Sequence, residues 1–423
     1  MSSDANYRVK QWRPPRRPEW VERMNAEGRC LDLPSVVPLD EDSLLSRARA
    51  NTGLDDFGEE DWYEPFKVFI KALDEEAELT LIGRLMTRSD IIMHLEARLR
   101  VEETYKRNPE IEEQQLAPPV WIIGSGRSGT SVLQNLLALD PDNGTPKHWE
   151  ALFPCPPPEA ATYQQDPRIK VADARMDQWN RVTPEIMSMH EFGGDMPTEL
   201  IQIEALSFQN SGWLDLYGFV PTYDAYMAPR GFVASMRYAR RVLKLLQWKN
   251  PRKRWLLKSP DAMRSLPDVF QVFPDVQLVW AHRDPLKAVA SAVSLVGTLF
   301  WIRSDRPLSE QAIAQLTSSA GLAALFDKVL DLIDAGKIPL SQLRSVQYLD
   351  LIADPLGTVE RLYGEMGIEL TERARAAMSD YLRSRPREAR PVHQYSLGDR
   401  DHLADERKLF QRYQAFFKVP VES

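Results

Sequence analysis

The stretch that most constrains this chain is Val120-Trp121-Ile122-Ile123, then Gly124-Ser125-Gly126-Arg127-Ser128-Gly129-Thr130-Ser131, then an apolar run to Leu139. Four apolar residues between Pro118-Pro119 and a glycine loop suit a strand buried on both faces of a parallel sheet. After the loop, Val132, Leu133, Leu136 and Leu137 recur at helical spacing. A glycine loop joining a strand to a helix presents backbone N–H groups and the positive end of the helix dipole to an anion. Thr130 and Ser131 add hydroxyl donors to that cradle.

The same grammar returns twice. Trp255-Leu256-Leu257 runs into Lys258-Ser259-Pro260, and Val276–Ala281 runs into His282-Arg283-Asp284-Pro285 and a helix to about Val296. Ser345–Leu349 reads as a fourth strand. Strands alternating with helices predict an α/β fold: a P-loop-type parallel β-sheet flanked by helices. Ligands of such sheets sit at the carboxyl ends of the strands, where all three loops fall. Ahead of the sheet, 41–116 reads as a helical extension, with helices around Glu41–Ala50, Phe66–Leu73, Leu79–Met86 and Ser89–Lys106. Residues 1–40, with Arg13-Pro14-Pro15-Arg16-Arg17-Pro18, read as an irregular arm. The remainder, 117–423, is expected to be one α/β domain, with a helical acceptor-binding insertion at about 160–250 and a C-terminal segment.

Composition excludes several classes. The net charge of −8 over 423 residues leaves no basic excess for a general nucleic-acid binder. Cys30 and Cys155 are too few for a disulfide framework or a cysteine-rich zinc site, and no two of the six histidines stand at i, i+4. No metal site is therefore expected. The opening residues contain no apolar signal core, and no run of 18 apolar residues occurs. The expectation is a cytoplasmic protein without a transmembrane segment.

The loop departs from the triphosphate-binding pattern GxxxxGK[ST]. Gly124 and Gly129 are in place, but Thr130 stands where the lysine would be, and a cation, Arg127, sits inside the loop. This counts against a small-molecule kinase and leaves a different doubly anionic ligand, or a nucleotide-binding protein without catalysis.

A strand followed by this GxxRSGT[ST] loop resembles the 5′-phosphosulfate loop of the sulfotransferases that use 3′-phosphoadenosine 5′-phosphosulfate (PAPS). Arg283, with Ser291 eight residues on, resembles that family's 3′-phosphate reader. Leu136–Pro158, Leu257–Pro260, the HRDP at 282–285 and His393–Leu397 are similar to bacterial sulfotransferases with an N-terminal helical extension. The tyrosylprotein sulfotransferases share fewer of these features. Where they place an arginine four residues beyond the serine this chain has Leu295, which leaves open one contact fewer or the use of Lys287.

The resemblance implies PAPS as co-substrate, adenosine 3′,5′-bisphosphate as product and a small-molecule hydroxyl acceptor. It implies a cofactor site of Gly126, Arg127, Ser128, Gly129, Thr130, Ser131, Arg283 and Ser291, with Arg127 on the 5′-phosphosulfate and Lys258 on the bridging oxygen or sulfuryl group. By its distance from Arg127, Glu150 is the candidate general base, with His148 its rival. His190 and Glu199 are further candidates for acceptor contact. The aromatic-dense stretch Trp213–Met227 reads as helix core or as the wall of an apolar acceptor pocket, which Leu299-Phe300-Trp301 would close.

Overall fold

The computed structural model describes residues 12–306, 317–385 and 400–422, apart from the side chains of 211, 261 and 400–402. The HQYSL stretch at 393–397 lies outside the described residues. Five strands form one sheet: β1 (Val120–Ile123), β2 (Asn143–Gly144), β3 (Arg254–Lys258), β4 (Gln277–His282) and β5 (Leu343–Gln347). Their order is β2-β3-β1-β4-β5, and each pairing is parallel. The order reverses about β1, so the carboxyl end of β1 opens at the point where such sheets bind ligands.

The sheet separates two cores. Trp121, Ile123, Trp255, Leu257, Leu278 and Trp280 face one of them. The intervening Val120, Ile122, Leu256 and Val279 face the other, against Leu133, Leu136 and Leu137 of the helix Thr130–Leu137. This period-2 alternation, with both faces apolar, is why the strands read as continuous hydrophobic runs.

A third core holds no strand. Leu44, Leu45 and Ala48 of Glu41–Thr52 and Phe66, Phe69 and Leu73 of Tyr63–Glu75 pack with Trp179, Phe208, Tyr217, Tyr223 and Leu299. The N-terminal helices and those between β2 and β3 thus share one apolar interior. Inside it lies a buried charge cluster. Asp90 meets Arg175 and Arg303, each at 2.6 Å, and Arg303 also donates to Thr87 Oγ1 and lies over the Tyr217 ring. Burial alone would raise the Asp90 carboxyl, but the two guanidinium groups outweigh it and hold the pKa below the ordinary value.

Three expectations from sequence are corrected. The helices expected at Leu79–Met86 and Ser89–Lys106 are one helix, Leu81–Arg107. No glycine or proline interrupts residues 84–107, and Thr87 at the expected break is fully buried against Arg303. The arm at 1–40 is not irregular throughout: Glu19–Gly28 is a helix entered from Pro18, with Glu19 and Glu22 in its first turn and Val21 and Asn25 buried. Just before it, Arg17 is buried over the Trp301 ring and bonds Asp305 and the Ser304 carbonyl. The fourth long strand ends at Gln347 rather than Leu349, because Tyr348–Ala353 is already helical. Among the described residues no helix is long and apolar enough to cross a membrane.

Gly83 lets the long helix meet the segment that carries Arg303. A Cβ there would lie 1.9 Å from the Arg303 carbonyl oxygen, a backbone atom that cannot swing aside. Gly83→Ala is expected to lower unfolding free energy by about 1–3 kcal/mol in urea titrations. An unchanged midpoint would show that this contact does not constrain the fold.

Candidate active site

The glycine loop closes on itself before it meets any ligand. Ser128 donates from Oγ and from its backbone N–H to the Ser125 carbonyl. Gly124 (φ 150°) has no room for a side chain, since a Cβ would lie 2.7 Å from the Ala281 carbonyl. Gly129 (φ 90°) starts the following helix against Tyr348. Arg127 itself is left-handed, with φ 69°, a conformation that non-glycine residues rarely adopt. Its guanidinium turns inward, with Nε donating to Ser291 Oγ at 3.0 Å and Nη1 to the Met189 carbonyl.

The neighbouring strands add two more cations. Lys258, the last residue of β3, is 3% exposed and reaches Ser131 Oγ and Glu199 Oε1, each at 2.9 Å. Arg283, just past β4, donates from Nη1 to the Arg127 carbonyl at 2.9 Å, which ties the two loops together. Its guanidinium lies 4.1 Å over the Tyr348 ring.

These groups open onto a cavity of about 420 Å³. Gly126, Arg127, Gly129, Thr130, Ser131, Lys258 and Arg283 line one side. The other side is apolar, with Phe192, Ile201, Trp213, Leu216, Leu295 and Leu299. His148, His190 and Glu199 also line it. Of the groups expected from sequence, Ser128 and Ser291 stand behind the lining, holding Ser125 and Arg127 in place. Lys287 is not among the lining residues, and Leu295 contributes apolar wall instead of a further cation. Trp213 from the aromatic-dense stretch lines the cavity, whereas Tyr217, Tyr223 and Met227 are buried in the helical core. Of Leu299-Phe300-Trp301 only Leu299 reaches the cavity, while Trp301 packs under Arg17.

An anion cradle on one wall, apolar surface on the other and proton acceptors between them suit transfer of a charged group from a polyanion to an apolar alcohol. Comparison with known proteins decides the family. The profile of the Sulfotransferase family matches residues 118–372. The chain belongs to this family. It is 25% identical over 261 residues to the omega-hydroxy-beta-dihydromenaquinone-9 sulfotransferase Stf3 of Mycobacterium bovis, covering 59% of this chain and 63% of the relative. The Mycobacterium tuberculosis protein of that name gives the same figures. The chain thus spans less than two thirds of these curated relatives. The crystal structure of sulfotransferase STF1 from M. tuberculosis superposes with a TM-score of 0.72 at 29% identity, over 89% of this chain and 98% of that one. Sulfotransferase STF9 from Mycobacterium avium shares the fold, with a TM-score of 0.75 at 24% identity over 91% and 98%.

The two candidate bases occupy different places around this cavity. Glu150 does not line the cavity. It is fully buried, accepts from the Lys147 backbone N–H at 3.0 Å, and pairs with Arg252 Nη2 at 2.9 Å. It caps the start of the short helix His148–Leu152 and neutralises Arg252 beneath β3. Burial raises its carboxyl above the ordinary range, with Arg252 opposing. His148 faces the cavity. Its Nδ1 is bonded to Gln202 Oε1 at 2.9 Å, and the same oxygen accepts from Thr198 Oγ1 at 2.7 Å. With Gln202 oriented so that its carbonyl oxygen takes both bonds, Nδ1 carries the proton, and Nε2, buried and without a hydrogen-bond partner, keeps its lone pair. The segment that brings Gln202, His190 and Glu199 here is stapled to 146–149 by backbone bonds from His148 to Met196, Trp149 to Gly194 and Thr198 to Pro146.

The sequence reading missed Tyr348 and the Thr198–Gln202 pair. Tyr348 follows β5 at the carboxyl edge, so the strand-end rule that found Lys258 and Arg283 was enough to find it. Nothing local marks Gln202 as a partner of His148, 54 residues away.

His94, His148 and His282 are almost wholly inside the protein, and burial lowers their pKa values to about 4, 3 and 3. Unfolded, each protonates near pH 6.5, so below that pH the unfolded chain binds more protons and stability falls. From pH 6.5 toward 4, unfolding free energy should drop by about 1.4 kcal/mol per pH unit for each such imidazole. Urea titrations at pH 7, 6 and 5 should show this, with a correspondingly shallower slope in His148→Gln. Equal slopes in the two proteins would contradict the buried neutral His148.

Proposed function

We propose that this chain moves the sulfuryl group of PAPS to the hydroxyl of an apolar, lipid-like or aromatic small molecule. The observation that carries the reading is the single cavity in which three cations at strand ends face an apolar wall across an imidazole with an unpartnered Nε2. The Stf3 relatives, whose name gives a hydroxylated dihydromenaquinone as acceptor, support the lipid-like class.

The chain's residues divide the work by chemistry. Loop N–H groups, Thr130, Ser131 and Arg127 hold the 5′-phosphosulfate, with Ser291 positioning the Arg127 guanidinium, and Arg283 reads the 3′-phosphate. Lys258 meets the charge that develops on the bridging oxygen, where preorganised cations contribute most. His148 Nε2 takes the acceptor's proton as the acceptor oxygen bonds to sulfur and the sulfur–oxygen bond to the 5′-phosphate breaks. PAPS supplies the sulfuryl group, and adenosine 3′,5′-bisphosphate remains. His148 replaces Glu150 in the role of base because a base must reach the reacting proton, and the Glu150 carboxylate is committed to Arg252 outside the cavity.

Transfer of ³⁵S from labelled PAPS to long-chain or aromatic alcohols, against short polar alcohols as controls, tests the activity and the acceptor class together. His148→Gln should lower kcat by about 10²–10⁴-fold while affinity for adenosine 3′,5′-bisphosphate stays near wild type. Glu150→Gln should keep kcat within about tenfold in the folded protein but lose stability, of the order of 3 kcal/mol, as Arg252 loses its buried counter-charge. A stable but inactive Glu150→Gln beside an active His148→Gln would return the base to the carboxylate.

A further inference from the structure

Arg283 already holds an anion, supplied by the chain itself. Its Nε and Nη2 donate to Glu422 Oε1 and Oε2 at 2.9 and 3.1 Å. Both side chains are 13% exposed. This two-donor edge of the guanidinium is the one that takes a carboxylate or phosphate side-on. The remaining nitrogen, Nη1, donates to the Arg127 carbonyl, and the ring of Tyr348 covers one face.

We propose that Glu422 is a stand-in for the donor's 3′-phosphate on Arg283, displaced when a 3′-phosphorylated nucleotide binds, and that this exchange sets donor affinity. The inference rests on the proposed reading of Arg283 as the 3′-phosphate contact. The segment is built to move without unfolding. Tyr413 and Val419 are anchored in the core behind the sheet. Beyond them Pro420 and Val421 are exposed, and Glu422 is held by Arg283 and by its own N–H on Asp284 Oδ2 at 3.0 Å. Release therefore breaks polar contacts at the mouth of the site and leaves the apolar anchor in place.

Only a 3′-phosphorylated nucleotide drives the exchange. A 3′-phosphate brings more charge and more acceptor oxygens than one carboxylate, so it replaces every bond that Arg283 gives up. A nucleotide with a free 3′-hydroxyl offers nothing equivalent, and displacing Glu422 for it would leave Arg283 without its carboxylate. A latch closed about nine-tenths of the time lowers apparent affinity about tenfold.

Calorimetric titration of adenosine 3′,5′-bisphosphate and of 5′-AMP into wild type, Glu422→Gln, Glu422→Ala and Arg283→Ala tests the exchange. Both Glu422 variants should bind the bisphosphate about tenfold more tightly and 5′-AMP within about twofold of wild type. Unchanged or weaker bisphosphate binding in both would overturn the proposal, since Glu422 would then be irrelevant or would orient Arg283 for the phosphate. The premise is tested separately. If Arg283→Ala weakens both nucleotides equally, the 3′-phosphate assignment fails whatever Glu422 does. Melting curves on each variant confirm that the titrated protein is folded.

Discussion

Three cations standing at the carboxyl ends of three adjacent parallel strands are the constraint around which this site is built. Like charges in one crevice repel, and burying any of them without a partner would be unfavourable. The fold meets this by giving each cation a local acceptor. Arg127 has the Met189 carbonyl and Ser291, Lys258 has Glu199 and Ser131, and Arg283 has Glu422 and the Arg127 carbonyl. None of these acceptors lies on a sheet strand. They come from the glycine loop itself, from the segment 189–199, from the helices after the loops and from the end of the described chain, so the sheet fixes the cations while other elements supply their partners.

The helical extension belongs to the same argument. Leu295 and Leu299, which line the apolar wall, lie on Pro285–Trp301, a helix whose first turn follows Arg283. Two residues past its end, Arg303 enters the Asp90 cluster with the long helix and Arg175. One helix therefore joins the cationic side of the cavity to its apolar side and is fixed at its far end by buried charge. Arg17 grips the same end through Trp301 and Asp305.

The sheet was legible in the sequence because its strands are short apolar runs followed by loops of strong local character, and three of those loops carry the cations. The glycine loop, Lys258 and Arg283 all stand where strand-end reasoning puts them. Which of Glu150 and His148 lines the cavity was not legible. Glu150 has the expected separation from Arg127, but separation along the chain does not say which way a side chain points. One helical turn directs His148 to the cavity and Glu150 toward Arg252, which lies 102 residues away. The continuity of Leu81–Arg107 was hidden in a similar way. A polar pair, Thr87-Arg88, reads as a break until a partner more than 200 residues on buries the threonine.

The chemistry of His148 couples the two halves of the site. Its pKa of about 3 comes first from burial and then from His190 and Lys258. A base so weak is mismatched to neutral pH, where catalytic groups work best with a pKa near the ambient value. Burial is a property of the fold, but the influence of Lys258 depends on what lies beside it. On the proposed reading, an anionic donor on Lys258 and Arg127 offsets the positive field at the imidazole and raises its basicity. The proton acceptor is then strongest when the sulfuryl group is in place and weakest when the cations stand alone. Glu199 follows the same logic. It pairs with Lys258 at 2.9 Å, so an anionic donor on the lysine competes with its carboxylate. Donor occupancy and base strength thereby rise together, through electrostatics alone and without a change of fold.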